Sequence, residues 1–424
     1  MFLLGGVTMS KDYRISSFTM TSGERFCHVV GCKDGLPEFN PNLYLMTQVR
    51  NRGDSFSTLE AAASNLVVFL RFLSRRKIDI NERVLKRTFL AQHELDDLCD
   101  FTQRRFGANK NRSGDGVFTI DELEESEEPV NSGTQYSRLT TVAYFLQWLA
   151  RYLLVDLDAN DSEVVDALVD QIKARRPAKR GYIRNVLDRA LSNDQVDLLL
   201  ESIQIHNRNN PFSPMVQRRN RLVILLLYHL GIRGGELLNI KVLDVDFAAN
   251  QLHIVRRADE KNDPRIHEPN VKTKPRILPL SEALSKEIHD YVVKDRRSAV
   301  GRRRHEFLLV THKEGPTMGQ PMTKAGYNKV LFTLSSASPK LAGVTGHMLR
   351  HTWNNNFTEK VDSMDNPPSS EKEEQMRSYL MGWEQGSGTA ATYTTRSTAK
   401  KGREAALTLQ ESIGVRMPKG LHDE

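Results

Sequence analysis

The sequence predicts a mainly α protein of the α+β class, with an all-helical domain followed by a mostly helical one that carries a small antiparallel hairpin. Three observations predict it. Apolar residues recur at helical spacing in long runs through both halves of the chain. Alternation of period two is confined to two short runs, QLHIVRR and RILPL. A basic stretch without a single acid separates the halves. With 424 residues the chain exceeds one compact core and divides into two or three domains of roughly 100–200 residues.

Residues 1–53 are poor in helical periodicity and hold Gly23, Gly31, Gly35, Pro37 and Pro41, so they read as a strand-and-turn arm or a small extra domain. The opening MFLLGGVTMSK has no charged start and too short an apolar run for a signal peptide, and Met9 is an equal candidate for initiation. Asp54 and Ser55 then cap FSTLEAAASNLVVFLRFLSRR, where Leu59, Ala62, Ala63, Leu66, Val67 and Leu70 make an amphipathic stripe. Val84 to Phe106 is predicted helical as well. After a break at NKNRSGDGVFTIDELEESEEPVNSG, the run TQYSRLTTVAYFLQWLARYLL makes another apolar helix, and 54–172 becomes one helical domain. Inside the break, Asn111, Ser113, Asp115, Gly116 and Glu122 partly match a calcium loop, but the first position lacks its aspartate.

The segment 173–187 carries Lys173, Arg175, Arg176, Lys179, Arg180 and Arg184 with Pro177 and Gly181. It is either a solvated interdomain linker, extended by its own repulsion, or a strap lying on a phosphate backbone. The last domain, 188–424, opens with the capped helix SNDQVDLLLESI. It continues through RNRLVILLLYHLGIRGGELLNIKVLDVD as a buried helix, a glycine turn and a second helix start. QLHIVRR and RILPL pair as a hairpin with VKTKP at or beside its turn, SEALSKEIHDYVVKD resumes helix, and TAKKGREAALTLQESIGV makes a helical tail.

Composition narrows the classes. A chain with 39% hydrophobic and 27% charged residues and a mean hydropathy of −0.48 is expected to be soluble and globular, not disordered. The apolar run Leu222 to Leu230, interrupted by His229, is too short to span a bilayer, which takes about 20 residues, so no membrane partner is expected. A net charge of +7 and a pI near 9.2 permit a polyanionic partner without establishing one. Cys27, Cys32 and Cys99 form no zinc pattern and fit a reducing cytoplasm.

Three segments hold residues that need a chemical reason. In LGIRGGELL, Arg233 directly follows an apolar helix and must find a partner; an ion pair to Glu236 across one helix turn is the plain explanation. In GHMLRHTWNNNF, His347 and Arg350 share a helix face, with His351 beside them; a capped helix with solvated charges explains that segment equally. In LMGWEQGSGTAATYTT, Tyr393 lies ten residues after Trp383 in a polar segment, where a tyrosine is ordinarily a surface residue. Their joint order carries more than any one of them: an Arg in a GxR turn, a hairpin Lys, an HxLRHT box, a GW step and a C-terminal Tyr.

That order resembles the tyrosine recombinases, the phage integrase family, over about residues 190–400, with 54–172 more loosely similar to the core-binding domain that precedes the catalytic one. The resemblance implies DNA strand cleavage and rejoining through a 3′-phosphotyrosine. It matches Arg233 and Arg350 to the two arginines, His347 to the box histidine, Trp383 to a position held by histidine or tryptophan, and Tyr393 to the nucleophile. VKTKPRILPL offers Lys272 and Lys274 for the hairpin lysine, and the KT step favours Lys272. The stretch between Arg350 and Trp383, with KVDSMDNPPSSEKEEQ, is longer than usual in the family, and the step to Tyr393 is slightly long.

The chemistry asks for these residue types. A phosphodiester passing to a phenol develops extra negative charge, which two guanidiniums stabilise with forked donors at any working pH. Lys272 is then the general acid for the leaving 5′ oxygen and His347 the base or proton shuttle. Tyrosine conserves the bond energy, so neither ATP nor a metal or other cofactor is expected, and no GxxxxGK[ST] loop occurs. Glu236 and His351 are supporting residues. The expected partners are duplex DNA sites, further copies of the chain in a tetramer, and accessory or directionality factors. Competing readings are a type IB topoisomerase or telomere resolvase, and a silent DNA-binding regulator.

Overall fold

The computed structural model describes residues 13–106, 129–178 and 190–385, apart from positions 157, 270, 272 and 304, together with a few positions between 402 and 408. The chain divides into two compact units, Met1–Gly181 and Tyr182–Glu424. The partial calcium-loop match lies outside the described residues, as do Lys179, Arg180, Arg184, Lys272 and Tyr393.

The first unit begins with an antiparallel pair, β1 (Tyr13–Thr19) and β2 (Arg25–Gly31), in register from Tyr13↔Gly31 to Thr19↔Arg25. α1 (Phe39–Tyr44) continues as a π-helical turn over Leu45–Arg50. α2 (Phe56–Arg76), α3 (Ile80–Leu85), α4 (Gln92–Gln103), α5 (Ser132–Leu153) and α6 (Ala159–Ala174) follow. Phe26, Cys27 and Val29 of β2 lie in one apolar core with Leu66, Phe69 and Phe72 of α2 and Leu139, Phe145 and Leu146 of α5. Residues 13–50 are thus built into the helical unit, since β2 buries nearly every side chain and Tyr44, Leu45 and Val49 join the same core. Among the described helices α2 alone is long and apolar enough to cross a membrane, and its apolar face is this core.

Two local departures from the sequence reading have backbone causes. The helix expected over 84–106 is broken after Leu85, where Arg87 and Phe89 take φ of 55° and 42°, a left-handed geometry that no helix continues through. At the other end, α6 runs into the basic segment: Lys173 lies in its last turn and Arg175 caps it, where cations meet the negative helix end favourably.

The second unit holds α7 (Asn193–Ser202), α8 (Pro214–Leu230), α9 (Gly234–Asn239), β3 (Val245–Asp246), β4 (Gln251–Ile254), β5 (Arg276–Pro279), α10 (Glu282–Asp290), α11 (Arg297–Val300), α12 (Lys324–Ser335), α13 (Gly346–Asp362) and α14 (Ser370–Met381). The hairpin expected from QLHIVRR and RILPL is present, antiparallel from Gln251↔Pro279 to Ile254↔Arg276, and β3 extends it to a three-stranded sheet of order β3-β4-β5. α8 supplies the centre of the core, Leu222 through Leu227 all being buried, and α13 packs along it. The fold is mainly helical with small antiparallel sheets, as the periodicities require.

Candidate active site

Of the residues singled out in the sequence, Arg233, His347, Arg350 and Trp383 stand at or beside the ends of α8, α13 and α14, where Arg350 joins all three helices. α8 stops at Gly231, whose φ of 59° suits the left-handed cap that releases the chain from the helix. A side chain there is also excluded by Trp353, whose ring carbons lie 2.9 and 3.0 Å from where a Cβ would stand. Arg233 follows two residues on as the N-cap of α9, half-buried, and its Nη1 is buried without a hydrogen-bond partner among the described residues. A buried, unbonded guanidinium nitrogen is unfavourable unless something anionic is to fill the position.

The ion pair between Arg233 and Glu236 does not form. Glu236, 2% exposed, accepts the Arg233 backbone N–H on Oε2 at 2.7 Å, and its charge is matched instead by Arg276, whose Nη1 and Nη2 donate at 2.9 and 3.1 Å. The Thr273 hydroxyl donates to the same carboxylate. Burial alone would raise the Glu236 pKa; the Arg276 fork, the Thr273 hydroxyl and the Arg233 amide outweigh it and hold the carboxyl below its ordinary range. Glu236 is therefore ionised, and among the described residues its charge is matched by Arg276 and not by the Arg233 guanidinium.

Arg350 is 1% exposed in α13. Its Nη1 donates to the Gly231 carbonyl at 2.5 Å and its Nη2 to the Met381 carbonyl at 3.1 Å, so one guanidinium ties the C-terminal ends of α8 and α14 to α13. The ring of Trp383, 6% exposed, lies 5.3 Å from that guanidinium. His347 is exposed in the first turn of α13, whose N-terminus Thr345 caps by accepting the Met348 amide at 3.3 Å. His351, one turn on and buried, sets its ring edge-on to that of His347 at 4.8 Å. A helix N-terminus carries partial positive charge, and His347 stands in the first turn of this one.

The hairpin reaches the same region. Lys274 donates its backbone N–H to the Gly382 carbonyl at 3.1 Å, while its ammonium pairs with exposed Glu384 at 2.7 Å. Lys272 lies outside the described residues, between Val271 and Thr273, which are both buried. In the first unit, Arg175 pairs with Asp96 at 2.7 Å, Arg176 stacks on Tyr136 at 4.6 Å, and Lys173 lies over Tyr144 at 5.0 Å.

Sequence reasoning missed three residues that hold the second unit's site together. Arg276 is one. Arg377, fully buried, bonds the Asn354 carbonyl at 2.9 Å, the Thr358 hydroxyl at 2.6 Å and Glu373, fastening α14 to α13. Tyr327, 9% exposed, puts its phenol against Gly234 and Gly346, the first residues of α9 and α13; burial pushes its pKa up to about 12.

Residues 189–366 match the model of the phage integrase family. Transposase A from transposon Tn554 of Staphylococcus aureus is 24% identical over 320 residues, 74% of this chain and 78% of that protein. Tyrosine recombinase XerD of Halalkalibacterium halodurans is 26% identical over 167 residues, 39% of this chain and 47% of that one. Among solved structures, the XerH site-specific recombinase in a post-cleavage complex with a palindromic difH substrate superposes with a TM-score of 0.50 at 16% identity, covering 88% of this chain and 90% of that one. The family match falls within the unit that holds Arg233, His347 and Arg350, so this chain carries a phage integrase domain over residues 189–366, and the relatives it resembles are a transposase and tyrosine recombinases.

Proposed function

We propose that this chain is a site-specific recombinase that integrates or excises a mobile DNA element through a 3′-phosphotyrosine at Tyr393. The observation that carries the reading is the pair of arginines: Arg350 clamped between two helix-end carbonyls, and two residues beyond one of those carbonyls an Arg233 whose Nη1 is buried without a hydrogen-bond partner among the described residues. Arg233 and Arg350 bind the non-bridging oxygens of the scissile phosphate, which sits at the start of α13. The Tyr393 phenol gives its proton to His347 and attacks phosphorus. The P–O5′ bond breaks and Lys272 protonates the departing 5′ oxygen. Lys274, whose ammonium is engaged by Glu384, is the weaker candidate for that acid. Trp383 covers the Arg350 side of the phosphate, and Glu236 keeps the Arg233 turn in shape from behind.

Rejoining reverses these steps with a 5′-hydroxyl from a second duplex. Two cleaved duplexes, each holding two copies of the chain, make the tetramer in which strands change partner, with accessory or directionality factors biasing the outcome. Lys173, Arg176 and the basic residues after α6, Lys179, Arg180 and Arg184, contact phosphates; Arg175 is already paired within its own unit.

The test uses the full chain and duplexes that it selects from a randomised library. Nicked versions of a selected duplex are expected to trap a covalent adduct on the 3′ side of the break. Tyr393→Phe is expected to bind the same duplex and form none; an adduct that persists in Tyr393→Phe overturns the assignment. Strand exchange between two selected sites is expected from wild type, whereas relaxation of supercoils without exchange points to a topoisomerase, and binding without any adduct to a silent regulator.

A further inference from the structure

We propose that Arg276 is a positioning residue that sets the hairpin segment bearing Lys272 against the Trp383 step, and so controls proton delivery to the leaving 5′ oxygen. Its side chain is 1% exposed, and the guanidinium joins three segments that the proposed chemistry uses. Toward α9, Nη1 and Nη2 grip Glu236, which itself holds the Arg233 amide. Toward the hairpin, Nη1 lies 3.4 Å from the hydroxyl of Thr273, the residue after Lys272, and that hydroxyl also donates to Glu236. Toward α14, Nε donates to the Leu380 carbonyl at 2.6 Å.

The backbone is shaped around this junction. Gly382 takes a φ of 67°, and a Cβ there would stand 2.7 Å from Arg276 Nη1, 2.9 Å from Thr273 Cβ and 3.0 Å from the Lys274 carbonyl oxygen. Only a glycine lets the Trp383 step approach the hairpin this closely. The Lys274 amide closes the approach by donating to the Gly382 carbonyl. Thr273 is thereby fixed from both sides, and Lys272 is its covalent neighbour. The planar five-donor fork suits arginine to serving all three segments at once, which lysine cannot do.

The inference rests on Lys272 being the general acid, and the test separates the two. A selected duplex is made with sulfur in place of the bridging 5′ oxygen at the scissile phosphate. Attack by Tyr393 then breaks the P–S5′ bond, and the thiolate, whose conjugate thiol has a pKa near 8.5, leaves without needing a proton. The released thiol is counted with a disulfide reagent. Lys272→Ala, Arg276→Met and the milder Thr273→Val are compared on oxygen and sulfur substrates, each after its affinity for the duplex has been shown to equal that of wild type.

Arg276→Met is expected to cleave the oxygen substrate on the order of 100-fold more slowly, Thr273→Val roughly 10-fold, and both to come within about 10-fold of wild type on sulfur, as general-acid losses do. If Lys272→Ala is rescued by sulfur and the other two are not, Arg276 acts only as a structural ion pair and the proposal fails while the general-acid reading stands. A Lys272→Ala variant that sulfur does not rescue overturns the general-acid reading, and the proposal with it. Should Arg276→Met not fold, the Thr273→Val comparison decides alone by the same outcomes.

Discussion

Glu236 shows how one side chain links stability to the site. Its carboxylate is buried against Arg276, with the Thr273 hydroxyl and the Arg233 amide as further donors. Because the folded pKa is depressed, the carboxylate contributes stability above the ordinary carboxylate range. The contribution is lost as pH falls through the lowered folded value. Glu236→Gln leaves a buried guanidinium uncompensated and is expected to destabilise the second unit by roughly 3–5 kcal/mol at neutral pH, with a flatter decline of stability in acid. Urea unfolding from neutral pH down through the carboxylate range measures both, and an acid limb as steep as in wild type would refute the linkage. Arg233, Arg350 and His347 could be singled out in the sequence because each stands in a short local signature. The partner of Glu236 was not, since it comes from a strand 40 residues away. A signal existed nonetheless: β5 alternates with Arg276 and Leu278 inward and Ile277 and Pro279 outward, and an inward arginine needs a buried acid.

At the scale of elements, the site depends on how closely three helix ends approach. α9 and α13 both begin with glycine, and Tyr327 of α12 fills the space those glycines leave. A Cβ on Gly346 would stand 1.9 Å from the Tyr327 Oη, with the next atom, Cζ, at 3.2 Å. Gly346→Ala is therefore expected to overpack this junction by roughly 1–3 kcal/mol, displacing His347 and Arg350 and slowing cleavage. The clash is with the phenolic oxygen, so adding Tyr327→Phe is expected to recover most of the stability and the cleavage rate. A double-mutant cycle in thermal unfolding and adduct formation checks it; strictly additive losses would show that the phenol is not the obstacle. Helix existence was legible from apolar periodicity, including α2, α5 and α8, because their buried faces are long. The break between α3 and α4 was not, since Arg87 and Phe89 adopt left-handed geometry under tertiary constraint, with no glycine to announce it. The place of β2 in the first unit's core was equally hidden, because strand-and-turn residues do not say what they pack against.

For the whole molecule, each unit has its own large apolar core, and on the proposed reading the basic stretch that begins in the last turn of α6 contributes to DNA affinity. Six basic residues without an acid extend from Lys173 to Arg184, but they are not equivalent. Arg175 holds Asp96 at 2.7 Å with its side chain 16% exposed, so its charge is largely matched before any DNA arrives. Every phosphate neutralised by a free cation releases counterions and steepens the fall of log K with log salt by about 0.9. Alanine at Lys179, Arg180 and Arg184 together is then expected to lower the slope by about 2–3, while Arg175→Ala leaves it nearly unchanged. Fluorescence anisotropy on a selected duplex across a salt series measures both slopes. A triple variant with the wild-type slope would mean that the stretch is a solvated tether, and that DNA affinity resides in the surfaces of the two units themselves. A lowered slope with unchanged site preference would assign the stretch to positioning on the backbone and leave sequence choice to groove contacts elsewhere.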